Sequence, residues 1–198
     1  MTSVRDAFAD RRQEKSGKMA GMKDRRARRT RAALLGAFTH LFLSRRRRIR
    51  AADLIAEAGV GRSTFYDHFS SPDEVLLEAL RHPFAALADT AAGRGDPAAT
   101  LWLVEHFWEN RQRGRELFDN PRMRDRVSRL LAGMVAERLR GAALILPNEL
   151  AAVELAEAAL APLRAWTRGE APASAEAMAE SLCRTGAALR EALAGPSA

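Results

Sequence analysis

The chain has 198 residues, of which 47% are hydrophobic, and a formal net charge of +7. This size allows one packed domain, or a small domain joined to a larger one. No stretch approaches the roughly 20 apolar residues of a membrane helix, and the charged N-terminus lacks the apolar segment of a secretory signal. Because Cys183 is the single cysteine, an internal disulfide is excluded and we expect a cytoplasmic protein.

The positive charge is concentrated near the N-terminus. Residues 1–50 contain 16 Lys or Arg against 4 Asp or Glu, a net +12, whereas residues 51–198 contain 16 against 21, a net −5. Such an uneven distribution is typical of a phosphate-binding segment attached to an acidic body. The competing interpretation is a basic tail that only keeps the chain in solution.

The first predicted helix follows a charged N-terminal segment. Residues 1–24 show neither helical nor strand periodicity, so we expect a disordered basic arm there. From about Arg26, apolar residues recur at three- and four-residue steps and predict an amphipathic helix, which runs into the arginines at 45–48. Its apolar positions are Leu34, Leu35, Phe38, Leu41 and Phe42.

Two short helices with a glycine between them come next. The segment Ala51–Ala58 is predicted to be helical, and Gly59 ends it because glycine readily takes a positive φ. Val60 can fill the corner before the helix Arg62–Phe69. The inward positions are Leu54, Ile55, Phe65 and Phe69. This arrangement is the helix-turn-helix pattern.

The outward side of Arg62–Phe69 carries polar groups suited to nucleic acid. An arginine can form two hydrogen bonds with a guanine edge, and hydroxyl groups suit phosphate oxygens. A merely solvated surface is the competing interpretation, which the turn glycine and the basic flank disfavour. A catalytic set of Ser63, Asp67 and His68 is disfavoured, because on one short helix the histidine cannot bridge nucleophile and acid.

The remainder of the chain also predicts helices. Ser71, Pro72 and Glu74 open a fourth helix as N-cap, first helical residue and partner in a capping box. The later segments are Ala98–Arg113, Arg115–Phe118, Pro121–Arg140, Glu149–Arg168 and Ser174–Leu193. Since no segment alternates like a strand, we predict an all-α fold of about nine helices.

A ligand cavity is a weaker prediction. Trp102 and His106 share one flank of the helix at 98–113, and with Phe107, Met123 and Val127 they are candidate lining residues. Aromatic residues at helical spacing are more often plain core, and the inward set of this helix is predicted to be Leu101, Val104, Phe107 and Trp108. The four histidines share no metal-ligand spacing and no glycine-rich phosphate loop occurs, so we predict no metal and no cofactor.

The last two predicted helices are dense in alanine and carry apolar stripes. One intramolecular face would satisfy both stripes, but two copies paired as a four-helix bundle would bury more surface. A two-fold homodimer would also present a helix-turn-helix to two half-sites about 34 Å apart.

Residues 51–80, AADLIAEAGVGRSTFYDHFSSPDEVLLEAL, resemble the signature of the TetR family of bacterial transcriptional regulators, above all in AGVGRSTFYDHF. The close match spans about 50 residues, from the first helix to the fourth. The later stretch LAPLRAWTRGEAPASAEAMAESL looks more loosely like the two dimerising helices of the family and their linker. The resemblance implies a DNA-binding domain at 25–71 and a helical effector-binding and dimerisation domain at 72–198.

The resemblance also implies roles for individual residues. Arg62 and Ser63 would approach base edges, while the hydroxyl and imidazole groups of the same helix would hold phosphates. The implied DNA-binding residues are Arg50, Gly61, Arg62, Ser63, Thr64, Tyr66 and His68. The nature of the ligand does not transfer, because lining residues differ throughout the family.

Three departures from the family pattern concern phosphate contacts. Arg50 stands where the family usually has the Thr or Ser that caps the second helix, and an arginine has no side-chain oxygen for that purpose. Pro72 stands where many relatives have a lysine. The arginines at 45–48 replace a glycine and an aromatic residue, and they could supply the missing contacts.

We therefore predict a homodimeric regulator, a repressor, that binds a palindromic operator on double-stranded DNA and is released by an unidentified small molecule. A basic protein that binds nucleic acid without sequence preference through residues 1–50 is the first alternative. A C-terminal domain that only dimerises and takes no effector is the second. A helical enzyme is disfavoured, because no acid–base or metal constellation occurs.

Overall fold

The computed structural model describes residues 4–44 and 49–196. These ranges contain nine α-helices and no strand beyond one isolated bridge between Leu144 and Ala194, which confirms the all-α prediction. The helices are α1 (Val4–Leu43), α2 (Ala51–Ala58), α3 (Arg62–His68), α4 (Pro72–Ala91), α5 (Pro97–Glu109), α6 (Arg111–Asp119), α7 (Pro121–Arg138), α8 (Asn148–Arg168) and α9 (Ala175–Ala192). None of these helices combines the length and the apolar character that a membrane-spanning segment requires.

The first helix is longer than the sequence predicts. It begins at Val4, so helix takes the place of the disordered arm expected up to residue 24. The segment 4–24 contains no proline and many residues of high helix propensity, and its two glycines, Gly17 and Gly21, weaken a helix without ending it. The arginines at 45–48 lie outside the described residues.

The chain divides into two compact units, residues 1–79 and 80–198. We predicted a boundary after residue 71, eight residues earlier. The difference has a packing cause, because Val75 is fully buried in the core of the first unit. Leu76 and Ala79 are partly buried against the same core. The first two turns of α4 therefore belong to the N-terminal unit.

The N-terminal unit is a small helical head with an aromatic and leucine core. Each of α1 to α4 contributes to the core, and the rings of Phe38 and Phe42 stack with their centroids 5.6 Å apart. The buried residues are Leu34, Ala37, Phe38, Leu41, Leu54, Phe65, Phe69 and Val75. The predicted apolar stripe of α1 is thus confirmed, with Leu35 and Phe42 partly buried.

The C-terminal unit is a larger bundle in which α7 packs along α8 and α5 along α9. A glycine permits a close approach of α9 to α4: a Cβ atom added to Gly186 would lie 2.0 Å from the carbonyl oxygen of Thr90. Elsewhere, the Arg138 guanidinium joins α7 to α4 by donating to the Asp89 carboxylate and, at 3.0 Å, to the Ala85 carbonyl. Backbone contact and a multiply bonded arginine fix these helices together.

Asn110 separates α5 from α6, where we predicted one helix over 98–113. Its side-chain amide donates to the His106 carbonyl at 2.9 Å, and its backbone N–H bonds the same oxygen at 3.2 Å. The prediction for Trp108 is also wrong. This residue was predicted to face inward, yet it is 40% exposed, with its ring 4.6 Å from that of Trp166 and with the Arg111 guanidinium 4.7 Å away.

Candidate nucleic-acid interface

The turn between α2 and α3 has the predicted geometry. Gly59 has φ 63° and ψ 33°, a left-handed conformation that suits glycine. Its N–H donates to the Ala56 carbonyl at 3.3 Å, and the N–H of Val60 donates to the Ile55 carbonyl at 3.2 Å. Val60 is partly buried against the head core. These bonds end α2 and fix the direction in which the chain enters α3.

One side of α3 is anchored in the head. Phe65 is fully buried and Phe69, which follows the helix, is nearly so. The guanidinium of Arg31 lies 4.7 Å from the centre of the Phe69 ring and is also 3.2 Å from the Glu78 carboxylate. Arg31 therefore serves to hold α3 in place, although the sequence suggested only another positive charge.

The opposite side of α3 is open to solvent. Arg62, Ser63 and Asp67 are exposed, and Tyr66 is 49% exposed. The Tyr66 ring meets the Phe65 ring edge-on, with centroids 5.1 Å apart, and the Arg62 guanidinium lies 5.9 Å from the Tyr66 ring. Aromatic and cation–π contacts of this kind restrict the side chains before any partner binds. The exposed side can therefore offer a forked donor next to a hydroxyl.

The remaining implied contacts of α3 lie at its edges. Gly61 is exposed and precedes the helix with φ −74°, while Thr64 and His68 are half-buried. A Cβ atom on Gly61 would meet only the Thr64 hydroxyl at 3.6 Å, an ordinary contact. The structure thus brings Gly61, Arg62, Ser63, Thr64, Tyr66 and His68 together on one helix and the residue before it.

Arg50 occupies the N-cap position of α2. Its backbone N–H donates to the Asp53 carboxylate at 2.9 Å, which is one half of a capping box. The other half needs a side-chain acceptor, and a guanidinium has none. The side chain of Arg50 is exposed, so it can bind an anion while its backbone caps the helix.

The start of α4 is capped by side chains of the head. The Ser71 hydroxyl accepts from the Glu74 N–H at 3.4 Å, so the predicted N-cap is confirmed. Glu74 reaches back to the N–H of Ser70 rather than to that of Ser71. Pro72, at the first position of α4, brings no cation to this surface.

Exposed arginines of α1 add positive charge to the N-terminal unit. Arg25, Arg26 and Arg29 are exposed, and Arg28 is paired with Asp24 at 2.8 Å. His40 on α1 lies 2.9 Å from the Glu57 carboxylate on α2. The cationic groups outnumber the carboxylates here, as phosphate binding requires.

The five predicted ligand residues do not share one surface. Trp102 is 53% exposed and its ring stacks on His106, with centroids 5.4 Å apart. Phe107 is buried against Phe84 instead, and Met123 and Val127 belong to the buried stripe of α7. Within residues 4–44 and 49–196, no group of three or more His, Cys, Asp or Glu residues could hold a metal ion.

No protein-family model and no curated protein matches the chain. Solved structures do resemble it over most of its length. The TetR transcriptional regulator from Streptococcus agalactiae 2603V is 25% identical, with 84% of this chain and 98% of that chain covered and a TM-score of 0.49. The dihydroxyacetone kinase operon activator DhaS is 19% identical, with 84% and 98% covered and a TM-score of 0.47.

A third similar structure is FadR of Thermus thermophilus, a TetR family transcriptional repressor in complex with lauroyl-CoA. It is 18% identical, with 85% of this chain and 97% of that chain covered and a TM-score of 0.49.

Proposed function

We propose that this chain is a sequence-specific DNA-binding regulator of transcription, of the TetR type, that acts as a homodimer. The division of α3 into two sides carries the proposal. Phe65 and Phe69 anchor the helix in the head, while Arg62 and Tyr66 are exposed on the other side. A recognition helix needs this division, because it must be held by its own domain while its outer side chains enter a major groove.

The exposed and half-buried polar groups of α3 supply both kinds of DNA contact. Arg62 is suited to a guanine edge, since its fork matches the O6 and N7 acceptors. The hydroxyls of Thr64 and Tyr66, with His68, are suited to phosphate oxygens, and Ser63 to a base edge. Arg50 and the exposed arginines of α1 add sequence-independent attraction to the backbone.

The C-terminal unit supports the proposed dimer. Three of its large apolar side chains are exposed within nine residues, namely Ile145, Leu150 and Val153, at or just before the start of α8. Exposed apolar clusters of this kind mark association surfaces. Pairing α8 and α9 with their copies would cover Leu150 and Val153, which lie on α8, and would place two heads on a palindromic operator.

Regulation by a small molecule completes the proposal. An effector releases the DNA only if it binds the released form of the dimer more tightly than the DNA-bound form. We expect the protein to repress its target promoter in the absence of that molecule.

The test is binding of the full chain to the DNA upstream of its own gene, measured by fluorescence anisotropy. We expect Arg62→Ala to weaken binding about 5- to 150-fold, which is the loss of one forked base contact. Tyr66→Ala should weaken it less. Arg94→Ala is the matched control, because it removes the same charge at an exposed position between α4 and α5, outside α3 and outside the helices proposed to dimerise. Unchanged DNA binding by both α3 variants would contradict the assignment of α3 as the recognition helix.

The net +12 of residues 1–50 favours a second candidate, a protein that binds nucleic acid without sequence preference. It predicts equal affinity for upstream and shuffled DNA and a steep salt dependence. Deleting residues 1–24 separates the two. A sequence-specific regulator loses affinity but keeps its preference for upstream DNA, whereas the non-specific binder has no preference to keep.

A further inference from the structure

A polar cleft of about 280 Å³ lies between α7 and α8 in the C-terminal unit. Its lining residues are Arg124, Asp125, Ser128, Arg129, Glu157 and Arg164. Three guanidinium groups face two carboxylates, so the cleft carries a net positive charge. Its volume lies just below the range of about 300–1,000 Å³ for drug-sized ligands, so it suits a small molecule.

Arg164 on α8 is a largely buried cation of this cleft. Its side chain is only 17% exposed, and its Nη2 donates to the Glu157 carboxylate at 2.9 Å. Its Nη1 is buried and has no hydrogen-bond partner among the residues that the structure describes. A buried donor without an acceptor is costly, and buried polar groups in folded proteins are nearly always paired. An acceptor on a bound molecule would satisfy it after a rotation that turns this nitrogen toward the cleft.

Glu157 positions that arginine. Burial raises the pKa of the Glu157 carboxyl. Hydrogen bonds from Ser128 and Arg164 and the charges of Arg164 and Arg124 lower it by more, so the net shift of the pKa is downward and the group stays ionised. An ionised Glu157 occupies one nitrogen of the Arg164 guanidinium and restricts its orientation. The second terminal nitrogen remains for another acceptor.

We propose that the cleft between α7 and α8 binds a small molecule through an oxyanion, either a carboxylate or a phosphate. Arg164 is the buried anchor, and Arg124 and Arg129 of α7 line the same cleft. Planar guanidinium groups suit both oxyanions, because their forked donors match two oxygens at once. Asp125 and Glu157 disfavour a molecule with several negative charges.

This site differs from the ligand surface predicted from the sequence, which centred on Trp102 and His106 of α5. Binding of an oxyanion does not depend on the DNA-binding role. Its assignment as the effector site does rest on the proposed function.

The test is the melting temperature of the full chain in inorganic phosphate or in acetate, compared with chloride at equal ionic strength. We expect a saturable rise, roughly 3–5 °C at ten times the dissociation constant. Arg164→Gln should abolish the rise. Arg94→Gln, in which an exposed arginine between α4 and α5 loses the same charge outside the cleft, should leave it unchanged. A rise with one anion only identifies which of the two oxyanions the site takes.

Glu157→Gln keeps the inference testable if Arg164→Gln does not fold. It removes the competing negative charge but keeps an amide oxygen beside Arg164, so we expect the anion to bind several-fold more tightly. The inference is overturned if neither anion gives a saturable rise, or if the rise is the same in wild type and in every folded cleft variant. If the chain binds the anion but does not bind DNA, anion binding at the cleft still stands and only its assignment as the effector site fails.

Discussion

The head and the C-terminal unit build their candidate sites in different ways. In the head, the anchoring and the exposed residues share the seven-residue helix α3. In the C-terminal unit, the cleft draws its side chains from α7 and α8, with Arg129 and Glu157 separated by 28 positions along the chain. A surface on one helix is fixed by a few local residues, whereas a cleft between two helices depends on how the whole bundle packs.

The two units also differ in their chromophores. The single tyrosine of the chain, Tyr66, lies in the head, and all three tryptophans, Trp102, Trp108 and Trp166, lie in the C-terminal unit. Tryptophan fluorescence therefore reports on one unit, and hydrogen exchange of residues 51–69 reports on the other.

The largest expected effect is that of Phe65→Ala. Truncating this fully buried ring should cost the head about 3–5 kcal/mol of unfolding free energy. We expect hydrogen exchange in residues 51–69 to become rapid and DNA binding to disappear, while the tryptophan unfolding transition stays where it is. A tryptophan transition that shifts with the head would break the distinction between the two units.

Gly186→Ala is the corresponding test in the C-terminal unit. The added Cβ would lie 2.0 Å from the Thr90 carbonyl oxygen, so α9 must move away from α4. We expect a loss of about 3 kcal/mol, at the upper end for overpacking, in urea unfolding followed by tryptophan fluorescence. Gly133→Ala on α7, where a Cβ meets nothing within 4 Å, should instead stabilise slightly. Equal effects of the two substitutions would contradict the close approach.

Gly59→Ala should cost about 1–2 kcal/mol through the backbone alone. A Cβ at this position meets nothing within 4 Å, so the cost comes from φ 63°. Gly36→Ala is the matched control, since this residue of α1 also has open space but helical geometry. We expect hydrogen exchange in the head to be faster in the first variant and slower in the second. Unchanged hydrogen exchange in Gly59→Ala would show that the turn does not need a residue in the left-handed conformation.

The smallest expected effect is that of Glu157→Gln on stability. The Glu157 side chain is 41% exposed, so its ion pair with Arg164 should contribute at most about 1 kcal/mol. The pKa of Glu157 in the folded protein lies below its ordinary 4.5, so this contribution is complete above pH 4.5 and disappears as pH falls through the lowered value. Urea unfolding across that range should show the two proteins converging in acid. A difference that persists there would exclude the ion pair as its source.

The sequence predicts the head well because its determinants are local. Gly59 and the buried pair Phe65 and Phe69 follow from spacing within one motif, and the structure confirms them. The role of Arg31 could not be predicted, because its contacts with Phe69 and Glu78 arise only when α1, α3 and α4 pack together.

The C-terminal unit was less predictable for a physical reason. The α5 segment LWLVEHFWE is apolar on most sides, so helical spacing does not define its inward face, and Trp108 was placed wrongly. Likewise, Arg124 and Arg164 each look like ordinary surface charges in the sequence. Only the register of α7 against α8 brings them to one cleft.

The most direct test of the central claim is the ratio of affinities for upstream and shuffled DNA in wild type and in Arg62→Lys. Lysine keeps the positive charge but loses the forked donor, so binding to shuffled DNA should be nearly unchanged. We predict that the wild-type preference for upstream DNA falls about 5- to 150-fold in the variant, as expected when a base contact is lost. An unchanged ratio would contradict the claim that the exposed side of α3 recognises a DNA sequence.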